Sequence, residues 1–360
     1  MSMRESILVT GGAGFIGSNV ADSLLRDGER VIVADNFSRA GVRQNAAWLK
    51  RTHGSRVRVV DVDVRDSGAL RRLVAEAKQV YHFAAQVAVT TSLDDPEDDL
   101  HTNVLGTFHV LEAARALLNP PPILFTSTNK VYGGMEEVEV ELADGAYRYA
   151  DGRRGVDEGQ PLDFHSPYGC SKGAADQYVH DYARIYGMPT VVFRMSCIYG
   201  RRQFGTEDQG WVAHFARALF GAEPITIYGD GHQVRDILWI EDLVDAMREA
   251  MRRIDTVSGQ VFNIGGGAEN AVSVRTVIDR LREITGAEVP IHTADWRPGD
   301  QRVYVSDTSK AQRLLGWAPR TSWRTGLEKL VAWLHEADLA TPVLPLERAP
   351  AEPALAKVTG

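Results

Sequence analysis

The sequence predicts an α/β fold in which a doubly wound parallel sheet carries a second, smaller mixed α/β lobe. An apolar run, a glycine-rich turn and an amphipathic stretch follow one another at the start of the chain. Apolar runs then alternate with helical patterns up to about residue 194, which is typical of parallel β-α-β units. With 360 residues, of which 44% are hydrophobic and 24% charged, the chain can bury one large core and a smaller one.

Composition and charge exclude several classes of function. The net charge of -8 argues against nucleic-acid binding, so a phosphorylated ligand would have to be held by local positive charge. The two cysteines, Cys170 and Cys197, cannot build a disulfide framework or a closed zinc site, and we predict no metal. The sequence has no run of about 18 apolar residues and no room for a signal peptide before Gly11, so we expect a cytoplasmic protein without membrane contact.

The first motif is a strand over residues 7–9, a Gly-x-x-Gly-x-x-Gly turn and a helix. Gly11 permits the tight turn, Gly14 lets the backbone approach a pyrophosphate at the helix N-terminus, and Gly17 allows close packing of helix on strand. A second strand over 31–34 ends in Asp35, about 20 residues on, where a carboxylate can accept from adenosine ribose hydroxyls. The segment predicts a dinucleotide site of the Rossmann type, with a merely structural glycine turn as the alternative.

Asp35 bears on the choice of cofactor. A carboxylate at this position would repel the 2′-phosphate of NADP, so NAD is favoured. Arg39 leaves an alternative, because it could bind that phosphate if Asp35 turned away; otherwise it is a solvated loop charge.

Later strands extend the predicted cofactor site. Asp63 and Val64, at the end of the strand over 57–64, are placed to meet the adenine. In the strand over 80–85, small residues would let the cofactor pass, and His82 is interpreted as a buried structural histidine. Asn103 is either a polar anchor beneath the active site or a helix-surface amide. The predicted cofactor-binding residues are Gly11, Gly14, Phe15, Ile16, Gly17, Asp35, Asn36, Ser38, Arg39, Asp63, Val64, Ala84, Ala85, Gln86, Asn103, Tyr168 and Lys172.

Tyr168 and Lys172 lie one helical turn apart. Ser166 is a good N-cap and Pro167 suits the first helical position, so Tyr168 falls in the first turn of a helix. Lys172 shares its face, and the lysine charge together with the positive helix end should favour a phenolate. Tyr168 is therefore a candidate general base near neutral pH, although an ordinary helix start would show the same short pattern.

Hydroxyl side chains end the strand over 123–128, at the edge where open α/β sheets bind ligands. Combined with the glycine turn and the Tyr168/Lys172 pair, they make residues 5–335 resemble the extended short-chain dehydrogenase/reductase family of nucleotide-sugar epimerases and dehydratases. The resemblance implies a catalytic triad in which Thr128 supplies a hydroxyl and Tyr168 is the base. It implies that Lys172 orients the ribose and lowers the tyrosine pKa. It also implies a homodimer.

The two residues after Thr128 discriminate within that family. Its 4,6-dehydratases carry an Asp-Glu pair there to eliminate and shuttle water, whereas this chain has Asn129 and Lys130. The runs over 127–133 and 163–177 are instead similar to the CDP-sugar 2-epimerases of the family, which implies inversion at C2 of a CDP-hexose by transient oxidation with bound NAD. A UDP-sugar 4-epimerase or a reductase is the alternative enzyme. A non-enzymatic nucleotide sensor is disfavoured, because Tyr168 and Lys172 are both present.

The region after residue 194 is the part that, by resemblance, grips the substrate's nucleotide. Arg235 is implied as a diphosphate ligand and Arg302 as a second, since the guanidinium fork matches phosphate oxygens. Cys197 lies near where related 4-epimerases carry a sugar-binding asparagine, and we interpret it as a small buried side chain. The predicted substrate-binding residues are Thr128, Asn129, Lys130, Arg202, Gln209, Arg235 and Arg302.

These assignments predict two domains. An NAD-binding domain is expected over residues 1–194 with a returning segment at 235–264, and a nucleotide-sugar lobe over 195–234 and 265–338. The stretch 134–160 is interpreted as a cover over the sugar end, or else as a solvated acidic excursion. Residues 339–360, rich in Pro and Ala, are expected to form a disordered tail.

Overall fold

The computed structural model describes residues 4–297 and 299–337, so the predicted tail lies outside the described residues. The strands are β1 (Ser6–Thr10), β2 (Arg30–Asp35), β3 (Val57–Asp61), β4 (Ala77–His82), β5 (Ile123–Thr128), β6 (Val140–Ala143), β7 (Ala146–Tyr149), β8 (Thr190–Met195), β9 (Cys197–Tyr199), β10 (Ile225–Tyr228), β11 (Val234–Trp239), β12 (Val261–Ile264), β13 (Ala271–Ser273), β14 (Ile291–Ala294) and β15 (Val303–Tyr304). The helices are α1 (Phe15–Arg26), α2 (Val42–His53), α3 (Ser67–Glu76), α4 (Val89–Asp94), α5 (Pro96–Leu100), α6 (Gly106–Arg115), α7 (Ser166–Tyr186), α8 (Trp211–Phe220), α9 (Ile240–Arg252), α10 (Ile254–Val257), α11 (Val274–Thr285), α12 (Ser309–Leu315) and α13 (Trp323–Glu336).

Seven parallel strands form the large sheet in the order β3-β2-β1-β4-β5-β8-β12. The chain starts at β1 in the middle, winds outward through β2 and β3, and then crosses to β4 and beyond, which confirms the predicted doubly wound sheet. Thr10 pairs with His82 and Thr128 pairs with Met195, so the carboxyl ends of four strands meet at one edge. Ligands bind at this edge in open α/β sheets.

Both faces of the large sheet are buried. In β1, Leu8 belongs to a core with α3, α6 and α7, while its neighbour Val9 belongs to a core with α1, α2 and α9. Successive side chains of a strand point to opposite faces, so a continuous apolar run such as that of β1 requires helices on both sides.

A smaller sheet is built around β11. This strand pairs with β9, β13 and β15, and a separate pair is formed by β10 and β14. Residues 235–239 therefore belong to the smaller part, because their backbone groups pair with β9, β13 and β15. The segment that returns to the large sheet begins with α9 and not at residue 235. We keep the division into two domains, with that shift, as a proposal.

The stretch 134–160 contains a hairpin of β6 and β7. The Tyr147 hydroxyl donates to Asp230 Oδ2 (2.7 Å), the Tyr147 N–H donates to His232 O (3.0 Å), and the Val305 N–H donates to the Tyr149 hydroxyl (3.2 Å). These bonds fix the hairpin on the smaller part of the molecule. None of its described residues lines the cleft below, so the structure does not place the expected cover over the sugar end.

Across the ranges 4–297 and 299–337, no helix has both the length and the apolar character needed to span a bilayer. The same ranges contain no group of three or more His, Cys, Asp or Glu side chains that could hold a metal ion.

Candidate active site

A cleft of about 660 Å³ runs along the carboxyl edge of the large sheet. Its size is typical of small-molecule and cofactor sites. One wall comes from the glycine turn, the ends of β2, β4 and β5, and the start of α7; the other comes from residues 195–212 of the smaller part. Of the predicted cofactor residues, the cleft is lined by Gly11, Gly14, Phe15, Ile16, Gly17, Asp35, Asn36, Ser38, Arg39, Val64, Ala84, Ala85, Gln86, Tyr168 and Lys172.

The glycine turn packs too tightly against neighbouring backbone to accommodate side chains at two of its glycines. Gly11 has φ of +63°, and a Cβ there would lie 2.7 Å from the Ala84 nitrogen. A Cβ at Gly17 would collide with the carbonyl oxygen of Gly11. Gly14 is the N-cap of α1, so the free N–H groups of that helix open on the cleft. The turn therefore fits a pyrophosphate at the helix N-terminus.

Asp35 is fixed beside the turn. Its Oδ2 accepts from the Ala13 N–H (3.0 Å) and its Oδ1 from the Phe37 N–H (2.9 Å). Burial raises the pKa of this carboxyl, and the backbone hydrogen bonds oppose that shift. Each oxygen keeps a lone pair, so the carboxylate can still accept from ligand hydroxyls.

Asp63 does not line the cleft, which differs from the predicted contact with adenine. Its carboxylate pairs with Arg65 (2.7 Å), which lowers the pKa of Asp63 to about 2, and it accepts from Asn36 Nδ2 (3.0 Å). The neighbouring Val62, Val64 and Arg65 line the cleft instead. The Asp63 carboxylate is therefore engaged by Arg65 and Asn36, and it holds these two side chains in place.

The smaller part closes against the cofactor half of the cleft. Arg39 donates to Gln209 Oε1, and Asn45 Nδ2 donates both to Ala13 O (3.1 Å) and to Arg202 O (3.2 Å). The Arg202 guanidinium stacks 3.9 Å from the centre of the Trp48 ring on α2. Arg202 and Gln209, predicted as substrate ligands, therefore do line the cleft, but they lie beside the cofactor elements.

Tyr168 stands at the start of α7. The helix is assigned from Ser166, with His165 before it, but Ser166 has a non-helical φ of +63° and its hydroxyl accepts from the Gly169 N–H (3.2 Å), so its side chain performs the predicted capping. The Tyr168 N–H donates to the hydroxyl of the buried Ser92 (3.1 Å), a contact that sequence reasoning missed. The Thr128 hydroxyl donates to Asn129 Oδ1 (3.4 Å) and is near enough to the Tyr168 phenol to lower its pKa, so these two members of the expected triad are neighbours.

The protonation of this pair differs from the sequence prediction. Burial raises the pKa of Tyr168 to about 12, and the Thr128 hydrogen bond offsets only part of that rise. Lys172 Nζ donates to Thr126 O (2.6 Å) and lies 4.3 Å from the centre of the Phe125 ring, and burial lowers its pKa to about 8. Lys172 therefore does not stabilise a Tyr168 phenolate in this structure. Desolvation of the phenol outweighs the positive end of the helix, and the Lys172 ammonium points to β5.

Asn103 is the anchor and not a surface amide. It is buried in a π-helical turn, His101–Leu105, between α5 and α6. Its Oδ1 accepts from the Gln86 N–H (2.9 Å), and its Nδ2 donates to Gln86 O (3.1 Å) and Ser171 Oγ (2.9 Å). The side chain thus holds the cleft wall at Gln86 against α7, without itself lining the cleft.

A buried ion pair also holds α7. Arg194 on β8 donates from Nε and Nη2 to the two oxygens of Asp176, each at 2.9 Å, and from Nη1 to the Tyr132 hydroxyl (3.2 Å). Bidentate pairs of this kind fix orientation as well as distance. The helix that carries Tyr168 and Lys172 is therefore tied directly to the sheet.

Four predicted substrate ligands lie outside the cleft lining: Asn129, Lys130, Arg235 and Arg302. The Asp300 carboxylate accepts from both Lys130 Nζ (2.9 Å) and Arg235 Nη2 (2.7 Å). Two cations therefore share one carboxylate, which leaves one positive charge in the cluster. Asn129 Nδ2 donates to Gln301 Oε1 (3.3 Å).

Arg302 differs most from its predicted place. Its guanidinium stacks 5.3 Å from the centre of the Tyr147 ring, on the hairpin. Arg297, which sequence reasoning passed over, donates to Glu207 O (2.9 Å) and Asp208 (3.2 Å), directly beside the cleft residue Gln209. Arg297 and Arg302 are the two ends of one sequence run, Arg-Pro-Gly-Asp-Gln-Arg. The sequence does not distinguish which of the two arginines lies nearer the cleft.

The wall that starts at the end of β8 and continues into the smaller part contributes residues that were not predicted as ligands. They are Met195, Ser196, Cys197, Gln203, Phe204 and Trp211. Cys197 is half-buried and faces the cleft, and burial raises the pKa of its thiol. In the sequence, Trp211 lies two residues after the predicted ligand Gln209, and this proximity was the signal that could have identified it.

Comparisons with known proteins agree on one group of enzymes. The sequence model of the family described as GDP-mannose 4,6 dehydratase matches residues 8–330. The chain is 41% identical over 334 residues to CDP-paratose 2-epimerase of Salmonella typhi, covering 91% of this chain and 98% of that protein. It is 32% identical over 352 residues to dTDP-glucose 4,6-dehydratase of Neisseria gonorrhoeae, covering 92% and 95%. The structure of UDP-glucuronic acid 4-epimerase from Bacillus cereus, in complex with UDP-glucuronic acid and NAD, matches with a TM-score of 0.79 and 29% identity over 92% of this chain and 99% of that one.

Proposed function

This chain belongs to the extended short-chain dehydrogenase/reductase family of NAD-dependent nucleotide-sugar epimerases and dehydratases, and we propose that it inverts C2 of a CDP-hexose of the paratose/tyvelose type. The family and the class of enzyme agree with the sequence prediction. The sugar, the base and the position of inversion are the proposal.

The observation that carries the proposal is the pair of residues after Thr128. Elimination of water needs an acid and a base beside the reacting carbons. Asn129 is an amide bonded to Gln301, and Lys130 is an ammonium paired with Asp300. Asp35 and Asp98, the carboxylates in the described lining of the cleft, lie away from Thr128: Asp35 is bonded at the glycine turn and Asp98 is paired with Arg65. A single phenol beside a hydroxyl favours epimerisation over dehydration.

Two further features favour a CDP-sugar 2-epimerase over a UDP-sugar 4-epimerase. The 41% identity to CDP-paratose 2-epimerase exceeds the 33% identity to UDP-glucose 4-epimerase of Mycolicibacterium smegmatis. Cys197 faces the cleft near where related 4-epimerases carry a sugar-binding asparagine. A thiol cannot reproduce the amide's paired donor and acceptor, so the sugar must be held differently here.

The cleft fits NAD. The glycine turn would hold the pyrophosphate, Asp35 the adenosine ribose, and Lys172 the nicotinamide ribose. When bound, NAD supplies a hydride acceptor and returns the same hydride. The contacts of Arg39 with Gln209 and of Asn45 with Arg202 close the smaller part over the cofactor half, which favours a cofactor that stays bound through many turnovers.

The chain's own residues handle the proton and hold the substrate. When NAD is bound, the positive charge of its nicotinamide ring would favour the Tyr168 phenolate and so offset the effect of burial. That phenolate would take the proton of the C2 hydroxyl at its oxygen, and Thr128 would hydrogen-bond the same substrate oxygen. Paratose and tyvelose have no C3 hydroxyl, so no 3-keto sugar can form to acidify C2, and oxidation at C2 itself is the remaining route. The sugar must then turn while its diphosphate stays fixed. Arg235 lies outside the cleft lining but near Cys197, which faces the cleft, and it shares a positive charge with Lys130, so Arg235 is our proposed ligand for that diphosphate. Arg297 contacts Glu207 and Asp208 beside the cleft residue Gln209, so it is better placed than Arg302 to assist.

The test is turnover of a panel of CDP-, UDP- and GDP-sugars, followed by the preferred sugar deuterated at C2. We expect the CDP-hexose to be turned over, with deuterium retained at C2 of the product in ordinary water. Replacement of the label by solvent hydrogen would refute oxidation at C2. Preference for a UDP-sugar, with inversion at C4, would refute the substrate assignment.

We also propose that the protein is a homodimer that pairs through α6 and α7. Phe108, Tyr178, Ile185 and Tyr186 on these neighbouring helices, and Leu105 at the end of the turn before α6, are between 36% and 65% exposed. The rings of Phe108 and Tyr178 contact each other edge to face, with centres 6.2 Å apart, so the patch is continuous from one helix to the next. A two-helix face of this kind can pair with itself around a two-fold axis.

Sedimentation of the double variant Phe108→Glu/Tyr178→Glu tests the dimer. We expect wild-type protein to sediment as a dimer and the variant as a monomer. Leu314→Glu, which places the same charge on an exposed leucine of α12, should stay dimeric. A monomeric wild type, or a dimer that the double variant leaves intact, would refute this interface.

A further inference from the structure

Behind the cleft, buried polar side chains form one continuous hydrogen-bond chain. Thr10 Oγ1 and His82 Nδ1 are 2.6 Å apart, and His82 Nε2 and Thr107 Oγ1 are 3.0 Å apart. The Thr107 hydroxyl contacts Asn103 O at 2.6 Å, and Asn103 Nδ2 contacts Ser171 Oγ at 2.9 Å. All five side chains are buried. The chain links the strand before the glycine turn to the helix of Tyr168.

The bond from Thr107 to Asn103 O fixes the direction of the two bonds made by His82. A backbone carbonyl can only accept, so the Thr107 hydroxyl must give its proton to Asn103 O. The Thr107 oxygen must then accept from His82, which places a proton on Nε2. His82 Nδ1 is left as an acceptor, and the Thr10 hydroxyl donates to it. The geometry therefore selects one tautomer of His82.

His82 stays neutral in this setting. Burial lowers its pKa to about 3, and the Lys172 ammonium acts in the same direction. A second proton on His82 would sit on Nδ1 and would need an acceptor there. The Thr10 oxygen is not free for it, because it already accepts from the Phe83 and Ala84 N–H groups (3.3 and 3.4 Å). The hydrogen-bond partners therefore favour the neutral His82 with its proton on Nε2.

This chain of hydrogen bonds contacts three parts of the cleft wall. Thr10 directly precedes Gly11 of the turn, and Asn103 makes both hydrogen bonds to the backbone of Gln86. Ser171 lies between the triad residues Tyr168 and Lys172, and its hydroxyl donates to Tyr168 O (3.2 Å). Movement of any one of these parts would stretch a buried hydrogen bond.

We propose that His82, as the neutral Nε2-protonated tautomer, is a positioning residue that sets the distance between the dinucleotide turn and the helix carrying Tyr168 and Lys172. It does not line the cleft, so it acts through Thr10 and Thr107 and not on the substrate. A misplacement of the reacting groups by about 1 Å can lower a rate by about 10²-fold, and this hydrogen-bond chain controls the placement of the turn relative to the helix. The proposal rests on the proposed epimerase activity only for its turnover readout.

The first measurement is the tautomer. Nitrogen NMR of the holoprotein with labelled histidine should show His82 protonated at Nε2 and not at Nδ1. We expect no titration of this signal between about pH 6 and pH 9. Protonation at Nδ1, or titration in that range, would overturn the proposal whatever the enzyme acts on.

The second measurement compares Thr107→Val with Thr107→Ser. Valine keeps the shape but leaves the Nε2 proton of His82 without an acceptor, whereas serine keeps the hydroxyl. We expect Thr107→Val to lower kcat by roughly tenfold with an unchanged KM, and to speed NAD release by a similar factor, in line with one unmet buried donor. Thr107→Ser should restore both.

A merely structural role would give another pattern. Thr107→Val would then lower the unfolding midpoint while kcat and NAD release equalled those of Thr107→Ser, and this result would overturn the proposal. If the protein turned over no CDP-sugar, the proposed function would fail, but the tautomer and the rate of NAD release would still decide whether His82 positions the site.

Discussion

Removal of the Asp176 carboxylate should destabilise the protein strongly and loosen the helix that carries Tyr168. Asp176 is 0% exposed and its partner Arg194 only 5%. Asp176→Ala deletes two charge-assisted hydrogen bonds, worth about 1.5–3 kcal/mol each, and leaves a buried guanidinium with the Tyr132 hydroxyl as its remaining partner. Loss of one partner from a buried pair costs about 3–5 kcal/mol, which agrees with that sum.

The assay is urea unfolding of the cofactor-free protein near pH 7, followed by circular dichroism. The free energy of unfolding extrapolated to water should fall by about 3–5 kcal/mol, with the slope against urea unchanged. An exposed pair on the same helix gives a matched control. Arg184 and Asp181 are 57% and 45% exposed, so Asp181→Ala should cost less than about 1 kcal/mol.

A double variant separates the charge from the packing. Asp176→Leu combined with Arg194→Met removes both buried charges and keeps apolar volume, so it should recover most of the stability lost in Asp176→Ala. If Asp176→Ala cost no more than Asp181→Ala, the buried pair would not hold α7. If the double variant were less stable than Asp176→Ala, desolvation would not be the source of the loss.

Three other predictions follow from the site. Tyr168→Phe should lower turnover by about 10²-fold or more while retained NAD is unchanged, and near-normal turnover would remove Tyr168 from its role as base. Lys172→Met should abolish turnover yet raise the free energy of unfolding at pH 7 by about 1–3 kcal/mol, because burial lowers the pKa of Lys172 from 10.5 to about 8. The folded protein then binds fewer protons than the unfolded chain between about pH 8 and pH 10.5, so wild-type stability rises with pH there and the gap between the two should be smaller near pH 10 than at pH 7. A variant less stable than wild type at pH 7 would contradict burial as the cause. Finally, denatured wild-type protein should release NAD and not NADP, whereas NADP in the extract would overturn the argument from Asp35.

Several features were determined by the sequence alone because they depend on neighbours within one turn or one strand. The glycine spacing, the apolar runs of the parallel sheet and the Ser166 cap are local patterns, and each is present in the structure. Asp35 follows from its place at the end of β2, since the strand end itself brings it beside the glycine turn. The same local logic put Tyr168 and Lys172 on one helix.

Tertiary structure decided what those residues do there. Burial, which no pattern reports, raises the pKa of Tyr168, lowers that of Lys172 and directs Lys172 to Thr126. Asp63, Arg302 and the hairpin after residue 134 go where distant partners hold them, and β11 pairs in the smaller sheet. The chain from Thr10 through His82 to Ser171 joins residues far apart in sequence, and single polar residues carry no periodic signal. Periodicity fixes which face of an element is buried, but the partner of a lone polar group is fixed only when the elements pack.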